Sequence, residues 1–335
     1  MALPLGTHTN DYLFGRGKIY VDEFSSGTIK TGERFLGNCP GFTLTVESET
    51  QDHFSSTSGL RTKDDTATIS VDFTGEITVD DITAENLALF IGGTSATVTQ
   101  SATPITDELI GPVAAHREYQ LGTTTGNPTG VRSVASVVVR VKEGDDASDA
   151  ATSTAYAIGD FVVPVGGNLH YYMATVAGTS GGSAPTWPTA GETVADGTVT
   201  WQDMGLIIQV DGTQYTFDAA SGRMYTMPST ALTTAIDFAT VSSTTLSFNV
   251  DYTPAANTRT RISSGTAGSI NGALRFLADN AKGSNRDLYI ASANFAASGD
   301  MPFITDTEYA EFTIAVGVNT KDSSTATIII DGQPV

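Results

Sequence analysis

The sequence predicts a mainly β protein, a β-sandwich or open barrel with one or two short flanking helices, on three observations. Charged residues are only 16% of 335 while Gly numbers 34 and Thr and Ser abound, which suits strands joined by turns better than long solvated helices. Two long runs alternate apolar and polar residues with the period of a half-buried strand. Only two segments carry apolar residues at helical spacing.

The first run is Phe42 to Glu49, with Phe42, Leu44 and Val46 on one side and Thr43, Thr45, Glu47 and Glu49 on the other. The second, Thr66 to Asp80, puts Ala67, Ile69, Val71, Phe73, Ile77 and Val79 on one face and Asp72, Glu76 and Asp80 on the opposite one. Gly75 falls on the apolar parity, where it predicts a bend or bulge. Between the runs, Gln51 to Asp65 is polar and too long for a tight turn, so it reads as a binding loop or a plain connection. From Asp81 to Gly92, Thr83 can cap, Glu85 suits the first turn, Leu87, Phe90 and Ile91 share a face and Gly92 ends a short helix. The spacing of Ala273, Leu274, Leu277 and Ala281 predicts a second helix over Ile270 to Ala281, stopped by Gly283. Strands are expected at Val137–Val141, Ile207–Val210, Leu246–Tyr252, Leu288–Ile290, Phe312–Val318 and Thr325–Ile330, with turn chemistry at Val210-Asp211-Gly212-Thr213.

The segment 146–205 differs from its surroundings. It has six acids, Asp146, Asp149, Asp160, Glu192, Asp196 and Asp203, no Lys or Arg, and both tryptophans, Trp187 and Trp201. Strand-like runs stand on each side, so it reads as a small all-β module inserted into a discontinuous host of residues 1–145 and 206–335.

Lys and Arg number 17 against 37 Asp and Glu, a formal charge of −20. That excludes a conventional DNA-binding protein, because phosphate-backbone affinity comes from clustered cations. The single cysteine, Cys39, cannot close an intramolecular disulfide, and His8, His53, His116 and His170 stand far apart without ligand-like spacing, so no metal site or cofactor is expected. Met1 to Tyr20 has no signal-peptide pattern and no stretch nears the length of a bilayer span, so neither export nor a membrane partner is expected. An enzyme is the rival class, since carboxylate pairs can run glycoside hydrolysis. No nucleophile-elbow string or paired acid motif supports it, and no catalytic residue is assigned.

Several strings form a set: Gly15-Arg16-Gly17-Lys18-Ile19-Tyr20, Thr31-Gly32-Glu33-Arg34-Phe35-Leu36-Gly37-Asn38, Phe42 to Glu49, Asp52-His53-Phe54-Ser55-Ser56, Ile82 to Phe90, Gly272 to Asn280 and Ser298-Gly299-Asp300. Together they resemble the major tail tube protein of long-tailed bacteriophages. The likeness covers about 1–145 and 206–335. It implies a structural virion protein made in the host cytoplasm, forming stacked, usually hexameric rings around a conduit for DNA ejection. Its partners would be itself, the terminator, tape-measure and distal tail proteins, and DNA in transit without tight binding. Glu47, Glu49, Asp72, Glu76 and Asp80 are then candidates to line the lumen, although the same acids fit a solvated outer face. Asp52, His53, Phe54, Arg61 and Lys63 correspond to the family's inter-ring loop.

Within the insertion, Tyr156 to Asp160, Tyr171-Tyr172, Pro185-Thr186-Trp187-Pro188-Thr189 and Asp196 to Trp201 resemble a small aromatic β-module of phage and carbohydrate-active proteins. Trp187, Tyr171 and Tyr172 are candidates to face a glycan weakly, and a host-surface or glycan-binding virion protein is the alternative function. So small a module also needs aromatics for its core, and Trp201, in a strand-like string, is expected there.

Overall fold

The computed structural model describes residues 11–25, 29–57, 59–209, 211–227, 247–265 and 268–333. Residues 1–10 with His8, Ser58 of the expected loop, and Val210 and Leu246 of two expected strands lie outside them. The protein is mainly β, with several sheets and, among the described residues, none closed into a barrel. It divides into two compact units, one of Met1–Val98 with Arg259–Val335 and one of Thr99–Thr258. The interrupting unit is thus longer than the compositionally distinct 146–205. The two segments by which the chain leaves and rejoins the first unit, Thr94–Gln100 and Asn257–Ser263, pair as a two-stranded ribbon.

The first unit is built on eight antiparallel strands: β1 (Gly17–Glu23), β2 (Arg34–Phe35), β3 (Gly41–Ser55), β4 (Thr62–Val79), β5 (Ser269–Ala278), β6 (Arg286–Ser298), β7 (Phe312–Val318) and β8 (Ile328–Gly332). They lie in the order β2-β1-β5-β6-β7-β4-β3, with β8 also on β6. The second edge of β6 is shared: Arg286–Ile290 pairs β8 and Ala293–Ser298 pairs β7. Phe42 on β3 and Phe276 on β5 are four strand steps apart, about 19 Å in a flat sheet. Their ring centroids are 5.9 Å apart, so the sheet curls until β3 faces β5 across one core. That core holds Ile19, Val21, Ile77, Val79, Leu274, Ile290, Phe295, Phe312, Ile314 and Val316.

Helix α1 (Ala84–Phe90) contributes Leu89 and Phe90 to that core. Thr83 Oγ1 accepts from the Asn86 amide at 3.2 Å, and Gly92 takes φ +59° past its end, as its sequence predicts. Asn86, 1% exposed, ties the helix down: its Nδ2 donates to the carbonyls of Leu36 (2.6 Å) and Asp81 (2.9 Å).

Three expectations fail here. Ile270 to Ala281 is not a helix: β5 occupies most of it, hydrogen-bonded between β1 and β6, and a register shift between Gly272 and Leu274 buries Ala273 and Leu274 together. Two ladders of backbone bonds override the helix preference of Ala, Leu and Arg. Gln51 to Asp65 is not a loop but mostly strand, pairing Gln51 with Ala67, Asp52 with Thr66 and His53 with Asp65. Gly75 carries no bulge. It pairs in register with Leu44 and Val316, and a Cβ there would sit 2.8 Å from the Thr43 carbonyl oxygen; glycine is required by close strand approach.

In the second unit, 105–110, 248–254 and 134–141 make one sheet, 215–218, 223–226 and 118–120 another, and 193–196, 199–206, 170–176, 161–163 and 148–149 a third. The strand expected at Ile207–Val210 ends instead at Leu206, with Ile208 making one isolated bridge to Arg140. One core gathers Val139, Val141, Phe248, Val250 and Tyr252 and takes in Tyr171. A smaller one holds Val162, Tyr172, Ala174, Val199 and Trp201.

Candidate functional site

The feature that stands out in the first unit is the β3–β4 pair. Among the described residues, β7 accompanies β4 only from Val79 to Thr74, and β3 is an edge strand. From the Val46–Phe73 rung to the Ser55–Thr62 rung the two strands therefore run on as a free ribbon, roughly 35 Å long at strand rise. A two-stranded ribbon is marginal in water by itself.

Register assigns its faces. Val46, Ser48, Val71 and Phe73 share one side, continuing the buried Ile77 and Val79 outward, yet Val46 is 59% exposed and Val71 50%. The opposite side carries Glu47 directly across from Asp72, with Glu49 across from Ser70. Toward the sheet this acidic side continues over Thr43, Thr45, Thr74 and Glu76 and onto Ala315, Gly317, Ala296 and Asn294 of the neighbouring strands, a shallow polar concavity without Lys or Arg. Ser298 Oγ donates to Glu76 at 3.1 Å. Among the described residues none of Glu47, Glu49, Asp72 and Glu76 makes a salt bridge. Like charges directly across a sheet repel, so Glu47→Gln should raise the midpoint of denaturant unfolding by a fraction of a molar, a shift that urea titration of the monomer checks. An unchanged or lower midpoint would mean the pair does not strain the ribbon.

Asp80 stands one residue beyond the end of β4, where its amide donates to the Asn38 carbonyl at 3.3 Å and its carboxylate accepts from Asn38 Nδ2 at 2.6 Å.

The outer end of the ribbon is internally satisfied. Lys63 Nζ is 2.6 Å from Asp52, which Thr66 Oγ1 also reaches at 3.0 Å; these bonds, that to Lys63 foremost, hold the Asp52 carboxyl below its usual range. His53 Nδ1 lies 2.6 Å from Asp64, and the Arg61 guanidinium stacks 5.3 Å above the Phe54 ring. The five residues assigned to an inter-ring loop are thus together, on the last rungs and turn of a ribbon.

Residues 12–160 match the model of a family described as protein of unknown function UCP028589. No match was found among the curated proteins. The matched segment contains the whole ribbon and α1.

The glycan-facing assignment does not hold for two of its three residues. Tyr171 is 2% exposed and Tyr172 fully buried. Consecutive strand residues point to opposite faces, and this strand is covered on both: Tyr171 enters the larger core, while Tyr172 packs in the smaller one, its hydroxyl donating to the Pro188 carbonyl and accepting from Asn168 Nδ2. Trp187 is half-buried, its ring 4.5 Å from that of Tyr172 and 6.0 Å from that of Trp201. It closes a core and presents no contiguous aromatic platform.

Sequence reading missed residues 299–311, between β6 and β7, where Phe303, Ile304 and Tyr309 are 87%, 94% and 95% exposed. The available signal was three large apolar side chains in a segment with no strand or helix period.

Cys39 is half-buried, and burial together with Asp80 and Asp81 pushes its thiol up to about 11. The thiolate is the reactive form. Alkylation by iodoacetamide at pH 8 should therefore be at least roughly tenfold slower than for a small free thiol and rise toward pH 11; rapid labelling at neutral pH would contradict this.

Proposed function

We propose that this chain is the tube-forming protein of a bacteriophage tail, a structural virion component with no catalytic role. Copies close into rings, the ring number being six by resemblance, and the rings stack around a bore through which DNA leaves the capsid. The observation that supports this most is the free ribbon: an apolar face prolonged beyond its own core and an acidic face behind it. A monomer gains nothing from such an extension. Neighbouring copies that cover the apolar side gain its burial, and the acidic side is left facing the space they enclose.

The acids suit a conduit. DNA carries about one negative charge per 1.7 Å, and basic walls would make transit a series of ion-pair ruptures. Carboxylates repel phosphates and keep a hydrated gap.

Electron microscopy of the purified protein tests the assembly: rings or hollow tubes are expected, and a persistent monomer at every salt concentration would overturn it. Each subunit brings a charge of −20, so tube yield should rise from very low ionic strength to physiological salt, where screening acts over about 8 Å. The conduit role is tested by replacing Glu47, Asp72 and Glu76 with Lys: tubes should persist and DNA ejection should slow, whereas normal ejection would remove the acidic-lining account.

A further inference from the structure

Two exposed apolar patches of the first unit lie at opposite ends of β4. One is the ribbon tip, where Phe54 is 41% and Leu60 75% exposed, beside Arg61 and Lys63. The other is 299–311, with Phe303, Ile304 and Tyr309 nearly bare. Phe312, which follows that segment, pairs with Val79 at the end of β4, while the tip precedes Thr62 at its start. The strand between them is roughly 55 Å long, so the tip and 299–311 of one molecule do not meet.

We propose that they meet between copies: the ribbon tip of one subunit docks on 299–311 of the next. This rests on the ring-stacking reading and deepens it by naming the two surfaces. Their chemistry is complementary. Phe54 to Lys63 contains Arg61 and Lys63 and no acid, with Asp52, Asp64 and Asp65 set back on the adjoining positions; 299–311 contains Asp300, Asp306, Glu308 and Glu311 and no base. In a chain with 17 basic residues against 37 acidic, two cations within three positions are a concentration, and Lys63, although paired with Asp52, remains 49% exposed. Apolar side chains at the centre with opposite charges around them supply burial and register together. Docking tip to tip would set Arg61 and Lys63 against their like and leave 299–311 bare. The contact is heterologous, so every bound copy still offers a free tip at one end and a free acceptor at the other, and growth is open-ended.

Charge reversal tests it. Arg61→Glu with Lys63→Glu should lower the pelletable tube fraction roughly tenfold while leaving rings, and Asp306→Lys with Glu308→Lys should do the same, because each sets like charges across the contact. Mixing the two variants, or combining all four changes in one chain, restores opposite charges at each contact and should restore tubes. Wild-type tubes with no rescue in either format would overturn the tip-to-acceptor pairing and leave ring stacking standing. Absence of rings and tubes from the wild type would bring down the underlying reading and this one with it. Independently, Leu60→Cys with Phe303→Cys should give, under mild oxidation, a ladder of covalent oligomers on a non-reducing gel, against the low background of the half-buried Cys39. A gel that stops at the dimer would refute head-to-tail docking.

Discussion

Replacing Asp52–Thr66 with an Asn-Gly turn between Gln51 and Ala67 will leave a folded monomer and abolish tubes. Gln51 and Ala67 are a cross-strand pair, and Asn-Gly forms the two-residue turn whose twist matches paired strands, so the shortened ribbon closes in its own register. The excised rungs lie beyond β7 and contribute no residue to the unit's core. Far-ultraviolet circular dichroism and the melting temperature should therefore stay near wild type. Tube yield by sedimentation and negative-stain microscopy should fall to background, because the excision removes Phe54, Leu60, Arg61 and Lys63. Unaltered tubes would show that the end of the ribbon takes no part in assembly.

The largest expected loss of stability comes from Arg140→Ala in the second unit. The Arg140 guanidinium makes a bidentate pair with Asp251, at 2.7 and 2.8 Å, and reaches Asp107 at 2.7 Å and Asp145 at 2.8 Å. Its side chain is only 16% exposed. Truncation leaves three carboxylates facing one another with no cation among them, at a cost of about 3 kcal/mol. For a unit of this size that is a fall of roughly 6–12 °C in melting temperature, and calorimetry checks it. The same cluster sets a pH dependence. Arg140 holds the Asp251 carboxyl below its usual range, so the pair's contribution is complete above the unfolded carboxylate value near 4 and fades as pH falls through the lower folded value. Arg140→Ala should accordingly flatten the acid limb of the stability curve; a variant that melts with wild type at neutral pH would show that the cluster contributes nothing net.

How much of this was legible in the sequence depended on whether one face of an element was apolar and the other polar. Helix α1 was readable because Thr83, Glu85, Leu87, Phe90 and Gly92 each carry an independent signal and all agree. The base of β3–β4 was readable because Phe42, Leu44, Ile77 and Val79 alternate with polar residues. Its outer half was not, since Asp52, His53, Asp65 and Thr66 are polar on both faces and leave no period to detect. β5 failed for the opposite reason: a central strand with a register shift buries adjacent residues, and Ala273-Leu274 then mimics a helical stripe. Tyr171-Tyr172 was read as a displayed pair because aromatic content alone does not reveal whether a strand is covered on one face or on two. The acidic candidates were assigned by parity, and parity does not reveal that Asp80, one residue past β4, is tied to Asn38 through both its amide and its carboxylate.

The pairing of Thr94–Gln100 with Asn257–Ser263 makes the second unit a passenger on a chain whose exit and return run side by side. A short linker from Val98 to Arg259 can close the first unit without it. By the same geometry, an independently folding domain whose own termini lie close together can be spliced in its place, turning the first unit into a carrier whose cargo is exchanged without touching β3 or β4.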